Sequence, residues 1–196
     1  MRPGRAAAFI DRDGVINELV PDPLSGLAES PLHPGEVELT PGAAVALRRL
    51  AAAGWLLVGV SNQPAAAKGS VPVEELEAVQ ACVVALLGAE GARFDAFKMC
   101  LHHPDGVVPE LTGECPCRKP APGMLLDAAE ELGIDLGASW MIGDTDGDVL
   151  AGTAAGCQTV LVLTGGSLHK RAGSGPADAV VPDLSAATEL LLHSTE

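Results

Sequence analysis

Apolar runs of strand length alternate with helically spaced segments along the whole chain. Residues 7–10 (Ala-Ala-Phe-Ile) form the first run, and residues 55–60, 94–99, 139–142, 159–163 and 179–181 repeat the pattern. Short continuous apolar runs of this kind are what strands covered on both faces require. Between them, residues 41–53, 72–87 and 123–132 have helical spacing, followed by a short helix ending near Ala155 and another starting near Leu184. Thr40 is placed to N-cap the first helix and Gly54 to stop it, while Gly133 closes the third. Glu74, Glu75 and Glu77 suit the positive end of the second. This alternation predicts an α/β fold, a doubly wound, mainly parallel sheet of about five or six strands with helices on both faces. Residues 18–40, with Pro21, Pro23, Pro31 and Pro34, read as a long irregular flap. Residues 144–148 read as a turn, and Gly173-Ser174-Gly175-Pro176 as a surface loop.

The composition narrows the function. At 196 residues and 47% apolar, the chain is expected to fold as one domain, 1–196, with a core that needs no disulfide scaffold. Acidic side chains outnumber basic ones 26 to 12, the net charge is −14, and aromatic residues make up 3%. A nucleic-acid partner is therefore not expected, because both phosphate neutralisation and base stacking lack their residues. An anionic substrate has to be attracted locally, against the field of the whole molecule. Residues 6–10 are too short for a signal-peptide core, and the uncharged stretch 149–169 is interrupted by four glycines. The expectation is a cytoplasmic monomer with no membrane segment.

In open parallel sheets, ligands bind beyond the carboxyl ends of the strands. The groups in that position are Asp11-Arg12-Asp13-Gly14, Ser61-Asn62-Gln63, Arg118-Lys119, and Gly143-Asp144 with Asp148. Each aspartate taken alone is a credible turn or cap residue. Gathered at one sheet edge, Asp11, Asp13 and Asp144 would repel one another, and a hard divalent cation such as Mg²⁺ resolves the repulsion. Lys119 and the Ser61 hydroxyl then offer a phosphoryl group a positive charge and a donor, so the constellation predicts phosphoryl transfer. Three of the five cysteines, Cys100, Cys115 and Cys117, share one segment with His102, which is a metal pattern before it is a disulfide pattern. Three thiolates and an imidazole suit a structural Zn²⁺ with no open position. A Cys115-Pro116-Cys117 redox dithiol is the alternative, but it leaves the upstream Cys-x-His unexplained. Cys82 and Cys157 read as small core residues, and Arg48 and Arg49 as a solvated helix face. His33, His169 and His193 carry no signal.

The stretch Asp11-Arg12-Asp13-Gly14-Val15-Ile16-Asn17 resembles the first motif of the haloacid dehalogenase-type phosphatases, and Ser61, Lys119 and Gly143-Asp144 through Asp148 resemble the other three. Cys100-Leu101-His102-His103-Pro104 with Cys115-Pro116-Cys117-Arg118-Lys119-Pro120 resembles that superfamily's zinc-containing subgroup of sugar-phosphate and histidinol-phosphate phosphatases. The resemblance covers residues 7–165 or so and implies a Rossmann-like core. It implies Asp11 as nucleophile and Asp13 as general acid and then base. Mg²⁺ would be held by the Asp11 carboxylate, the Asp13 backbone carbonyl and Asp144, and phosphoryl oxygens by Ser61 and Lys119. Asp148 is expected to orient Lys119, and the zinc loop, 100–117, to position Arg118 and Lys119.

The intervals from Asp11 to Ser61 and from Ser61 to Lys119 leave no room for a separate cap domain, so the mouth is expected to be shaped by residues 18–35, 64–70 and the zinc loop. The chain departs from the subgroup in three places. It has no tyrosine, it reads Pro64-Ala65-Ala66-Ala67-Lys68-Gly69 after Asn62-Gln63, and it carries Thr145 where a lysine is common. Asn62, Arg118 and Lys68 are the remaining candidates for substrate contact. The extra cations favour a small phosphorylated sugar with two phosphates, a heptose 1,7-bisphosphate, over histidinol phosphate. A zinc-stabilised binding module without activity is the reading from another class.

Overall fold

A computed structural model describes residues 4–22, 25–163, 166–173 and 176–194. Pro23 of the expected flap and Ser174-Gly175 of the expected loop lie outside them. In chain order the elements are β1 (Ala7–Ile10), β2 (Val20–Pro21), β3 (Ala28–Glu29), α1 (Ala43–Ala52), β4 (Leu56–Asn62), α2 (Val73–Ala89), β5 (Ala96–Cys100), α3 (Gly123–Leu132), β6 (Trp140–Gly143), α4 (Asp146–Ala155), β7 (Gln158–Val162), β8 (Ala179–Val181) and α5 (Leu184–His193). Six strands form one sheet in the order β5-β4-β1-β6-β7-β8, with every neighbouring pair parallel. The doubly wound sheet expected from the alternation is therefore present.

Side chains alternate across the sheet and divide the core into two layers. Ala8 and Ile10 of β1 face the layer built with α1, α2 and α5 through Leu47, Leu50, Val79, Val83 and Leu191. Ala7 and Phe9 face the opposite layer, where Met124, Leu125 and Ala128 of α3 and Ala151 of α4 cover the sheet. Cys157 is buried beside β7 as expected, while Cys82 is only half-buried, its thiol directed at the Pro34 carbonyl at 3.5 Å. Arg48 and Arg49 lie on an exposed face of α1, with Arg49 paired to Glu189. No helix among the described residues is long and apolar enough to cross a membrane.

Strand and helix limits differ from the sequence expectation by one or two residues, and three local readings change. Thr40 does not cap α1, because its hydroxyl donates to the Val15 carbonyl at 2.6 Å and Gly42 occupies the N-cap in the left-handed region. The flap is not wholly irregular: β2 and β3 pair antiparallel as a small hairpin, and Pro34–Glu36 forms a 3-10 turn. Residues 146–148 are already the first turn of α4, so Asp148 points from a helix rather than from a loop.

Sheet order positions the site. From β1 the chain moves outward to β4 and β5, then returns to the other side of β1 for β6, β7 and β8. The crevice of such a sheet opens beyond the strand ends at this reversal, between β1 and β6. Ile10 pairs with Ile142 and Gly59, so Asp11 and Asp144 follow directly at the rim while Ser61 and Asn62 extend past it.

Candidate active site

Asp11 leaves β1 with its backbone N–H still donating to the Ile142 carbonyl at 2.9 Å, which fixes it against β6. Its carboxylate lies 2.8 Å from Lys119 Nζ. Lys119 is almost fully buried, and its ammonium also meets Asp148 Oδ1 at 2.7 Å and the Val60 carbonyl at 2.9 Å. Burial alone would lower the lysine pKa, but the adjoining carboxylates reverse that and hold it above its ordinary value. The backbone of Lys119 is clamped by the side chain of Asn62, whose Oδ1 accepts from Lys119 N–H at 3.1 Å while Nδ2 donates to its carbonyl at 2.9 Å. A residue 57 positions away in sequence is thus tied to the end of β4 as though it were a neighbouring strand.

Asp148 uses its other oxygen on the N-terminus of its own helix, accepting from Thr145 N–H at 3.0 Å and Thr145 Oγ at 2.6 Å. Both of its oxygens are thus engaged, one of them on Lys119. Asp144 is different: Oδ2 accepts from the Ser167 hydroxyl, but the buried Oδ1 has no hydrogen-bond partner among the described residues. Burial, and then the Asp148 charge, push its pKa up to about 7. Asp11 is likewise raised, by burial and by Asp148, against the opposing pull of Lys119. One oxygen from each of Asp11, Asp144 and Asp148 falls within 4.8 Å of the others. The Lys119 ammonium and Arg171, which donates to the Asp144 and Val162 carbonyls at 2.7 and 3.2 Å, do not fully balance three buried carboxylates. An orphaned oxygen and excess negative charge are what a hard dication fits.

Asp13 has an opposite environment. Arg12 is completely buried and grips it with two hydrogen bonds, Nε to Oδ1 at 3.0 Å and Nη2 to Oδ2 at 3.1 Å. Asn17 Nδ2 adds a third at 3.0 Å and Gln63 Nε2 a fourth at 2.5 Å. Burial would raise the Asp13 pKa, yet the Arg12 charge and hydrogen bonds, with those of Asn17 and Ser30, bring it below the ordinary value.

The second cluster gathers where the sequence pattern puts it. One ligand atom each from Cys100, His102, Cys115 and Cys117 lie within 4.8 Å of one another. Cys100 Sγ and Cys117 Sγ are 2.9 Å apart, and His102 Nδ1 is 4.0 and 3.8 Å from them. A tetrahedral zinc with Zn–S of about 2.3 Å has ligand–ligand edges of about 3.5–3.8 Å, so the four groups fit the ion after small shifts. Burial, reinforced by the other two thiols, pushes the Cys117 thiol up. The dithiol alternative leaves His102 unaccounted for. Arg118 is joined to this loop through Nη1 to the His102 carbonyl at 3.1 Å and its own N–H to the Cys115 carbonyl at 3.1 Å.

These groups line a cleft of about 240 Å³ floored by Asp11, Asp13, Ser61, Asn62, Lys119 and Asp144. The flap brings Leu19, Glu29 and Ser30 to the mouth, and the β4–α2 loop brings Pro64 and Lys68. Of the expected zinc-loop wall, only Arg118, just beyond the loop, reaches the cleft; a further wall comes instead from Ser167 and Lys170. Sequence reasoning assigned no part to Arg12, Gln63, Ser167, Glu29 or Lys170. Arg12 was detectable as a cation between two carboxylates, whereas Ser167, in the segment after β7, carries neither charge nor motif to mark it.

A parallel sheet with a buried aspartate following its first strand, a lysine across from it and acidic residues after β6 defines an α/β phosphoryl-transfer hydrolase. The chain belongs to the haloacid dehalogenase-like phosphatase family. The family model described as HAD-hydrolase-like matches residues 116–187. The chain is 38% identical to the D-glycero-beta-D-manno-heptose-1,7-bisphosphate 7-phosphatase of Rhodopseudomonas palustris, over 79% of its own length and 81% of that protein's. It is 35% identical to the enzyme of the same name from Pseudomonas aeruginosa, over 96% and 99% of the two chains. Among solved structures, the D,D-heptose 1,7-bisphosphate phosphatase of B. bronchiseptica, complexed with magnesium and phosphate, superposes with a TM-score of 0.80 at 33% identity, covering 96% of this chain and 99% of that one.

Proposed function

We propose that this chain releases the 7-phosphate from D-glycero-D-manno-heptose 1,7-bisphosphate through an aspartyl-phosphate on Asp11. The observation that carries the reading is the pairing, in one cleft, of Asp11 held against Lys119 with an Asp144 oxygen left without a partner. Relatives matched over 79% and 96% of the chain favour this substrate over histidinol phosphate and over a silent binding module.

In this reading the free Asp11 oxygen attacks phosphorus as the bond to the C7 oxygen breaks. Lys119, Ser61 and Asn62 line the floor around the transferring group, where fixed donors act on charge that spreads over its oxygens. Arg118 and Lys68 extend the positive wall toward the sugar. Asp13 gives the leaving alkoxide a proton and then takes one from the water that cleaves the acyl phosphate. In the described conformation Arg12 keeps Asp13 ionised, so proton donation requires the carboxyl to leave Arg12 for the cleft, where neighbouring negative charge raises its pKa. Asp11, the Asp13 carbonyl and Asp144 would hold Mg²⁺, which when bound neutralises the carboxylates and the phosphoryl oxygens. Cys100, His102, Cys115 and Cys117 would hold a structural Zn²⁺ that fixes the loop ahead of Arg118. We take residues 1–196 as a single domain acting as a cytoplasmic monomer.

Phosphate release from the heptose bisphosphate and from histidinol phosphate, measured side by side with Mg²⁺, tests the substrate. Preference for the former by at least tenfold is expected, and the reverse preference overturns it. Asp11→Asn should lower kcat by at least about a thousandfold. Acid quenching of the wild-type enzyme during turnover should trap phosphate on Asp11.

A further inference from the structure

The mouth of the cleft contains an ion pair that the chemistry at its floor does not use. Lys170 Nζ lies 2.6 Å from Glu29 Oε2, and His169 Nε2 is 3.4 Å from the other oxygen of the same carboxylate. Both Glu29 and Lys170 line the cleft. Their side chains are 42% and 34% exposed, so the pair is water-screened and worth little to stability. The contact is nonetheless built into the backbone. The flap and the 166–170 segment meet so closely that a Cβ on Gly166 would sit 2.3 Å from Ala28 Cβ, the residue before Glu29.

The other cations of the cleft are occupied differently. Lys119 is saturated by two carboxylates and a carbonyl, and Arg118 donates to the His102 carbonyl. Lys68 is exposed on the β4–α2 loop, and its ammonium has no ion pair or hydrogen bond among the described residues. Lys170 is held only by a carboxylate, which is a weaker hold than a phosphate dianion offers. Among the described residues that line the cleft, Glu29 is also the one acidic group besides the aspartates of the floor. Left unpaired beside an incoming anion, it repels it.

We propose that Lys170 and Lys68 form a subsite for the substrate's distal phosphate, and that Lys170 reaches it by exchanging Glu29 for that phosphate. This rests on the bisphosphate reading given above. Glu29 then has two effects: it keeps Lys170 at the mouth in the free enzyme, and it sets a threshold that only a ligand carrying a second dianion there overcomes. A sugar with a single phosphate, anchored at the floor, leaves Glu29 and Lys170 paired.

A latch that merely closes the flap would be weakened by loss of either partner, so both changes would act in the same direction. An exchange predicts opposite signs. The test compares D-glycero-D-manno-heptose 1,7-bisphosphate with its 7-monophosphate, which shares the scissile bond, in wild type, Lys170→Gln and Glu29→Gln. Lys170→Gln should lower the bisphosphate-to-monophosphate ratio of kcat/KM about tenfold, mainly through KM, with Lys170→Arg restoring most of it. Glu29→Gln should leave the ratio unchanged or raise it. Dissociation constants for the bisphosphate measured on an Asp11→Asn background should move in the same directions. Equal losses in both variants, or an undiminished ratio in Lys170→Gln, overturn the exchange while leaving the substrate intact. A wild-type enzyme with no preference for the bisphosphate overturns the substrate reading, and the subsite with it.

Discussion

Asp144 and Asp13 line one cleft in opposite electrostatic environments, and each environment gives a measurable sign. Asp144 is a carboxyl whose pKa is pushed up to about 7, mainly by burial and then by Asp148. It binds more protons folded than unfolded, so in metal-free protein its contribution favours folding most below the ordinary carboxylate range and is lost as pH rises through about 7. Mg²⁺ has to compete with that proton. The apparent Mg²⁺ affinity, titrated calorimetrically, should therefore weaken by up to about tenfold per unit as pH falls below 7, and Asp144→Asn should abolish both the affinity and its slope. Asp13 behaves in reverse. Its pKa is depressed, so its stabilising contribution is present above the ordinary carboxylate value of 3.8 and disappears as pH falls through the lower folded value. Arg12→Met leaves that carboxylate buried without its cation and should cost about 3 kcal/mol at pH 7 in urea unfolding. The loss should shrink toward pH 4 as Asp13 takes up a proton, and a pH-independent loss would point to lost packing alone.

At the scale of elements, the site depends on how closely the segments after β1 and β6 approach. Gly14 turns the chain after Asp13 with φ of 84°, and a Cβ there would lie 2.2 Å from Asp144 Oδ2. Gly14→Ala combines a left-handed backbone with a clash against Asp144, a carboxylate proposed to hold Mg²⁺. It should cost about 1–2 kcal/mol of stability and weaken Mg²⁺ at least about tenfold, while Gly26→Ala, also at positive φ but with open space around it, should cost stability alone. Calorimetric Mg²⁺ titration of the two variants separates these effects. Most of this scaffold was legible in the chain. β1, β4 and β6 are continuous apolar runs, and the polar residues that end them are the residues that meet, because strand-end chemistry follows from local pattern plus one topological rule. The clamp of Asn62 on Lys119, the Arg12 grip and Ser167 on Asp144 were not legible. Each joins parts of the chain through side-chain geometry, which for Ser167 acts across the whole of α4 and β7. The flap hairpin escaped for a related reason: two-residue strands are too short to alternate.

At the scale of the molecule, the sheet makes its own core, but the loop from Cys100 to Cys117 has little apolar content with which to hold itself. Among its described residues the regular structure is one 3-10 turn, Pro109–Leu111, and Val107 is 72% exposed. It is tied to the 64–70 loop by Val107 and Val108 N–H groups donating to the Ala67 carbonyl at 2.7 and 3.1 Å, and to the cleft through Arg118. If the proposed zinc binds here, it would order this segment, and that order would reach the cleft because Arg118 and Lys119 follow Cys117 in the chain. The purified protein should carry about one zinc per chain. Stripping it should lower the melting temperature by about 5–10 °C and reduce kcat, whereas Mg²⁺ affinity, set by Asp11 and Asp144 on the sheet, should change little. Cys115→Ser should reproduce the stripped protein without a chelator, separating loss of zinc from loss of Mg²⁺. A protein that contains no zinc and melts identically after Cys115→Ser would show that hydrogen bonds alone order the loop, and Lys119 would then owe its position to Asn62, Asp11 and Asp148.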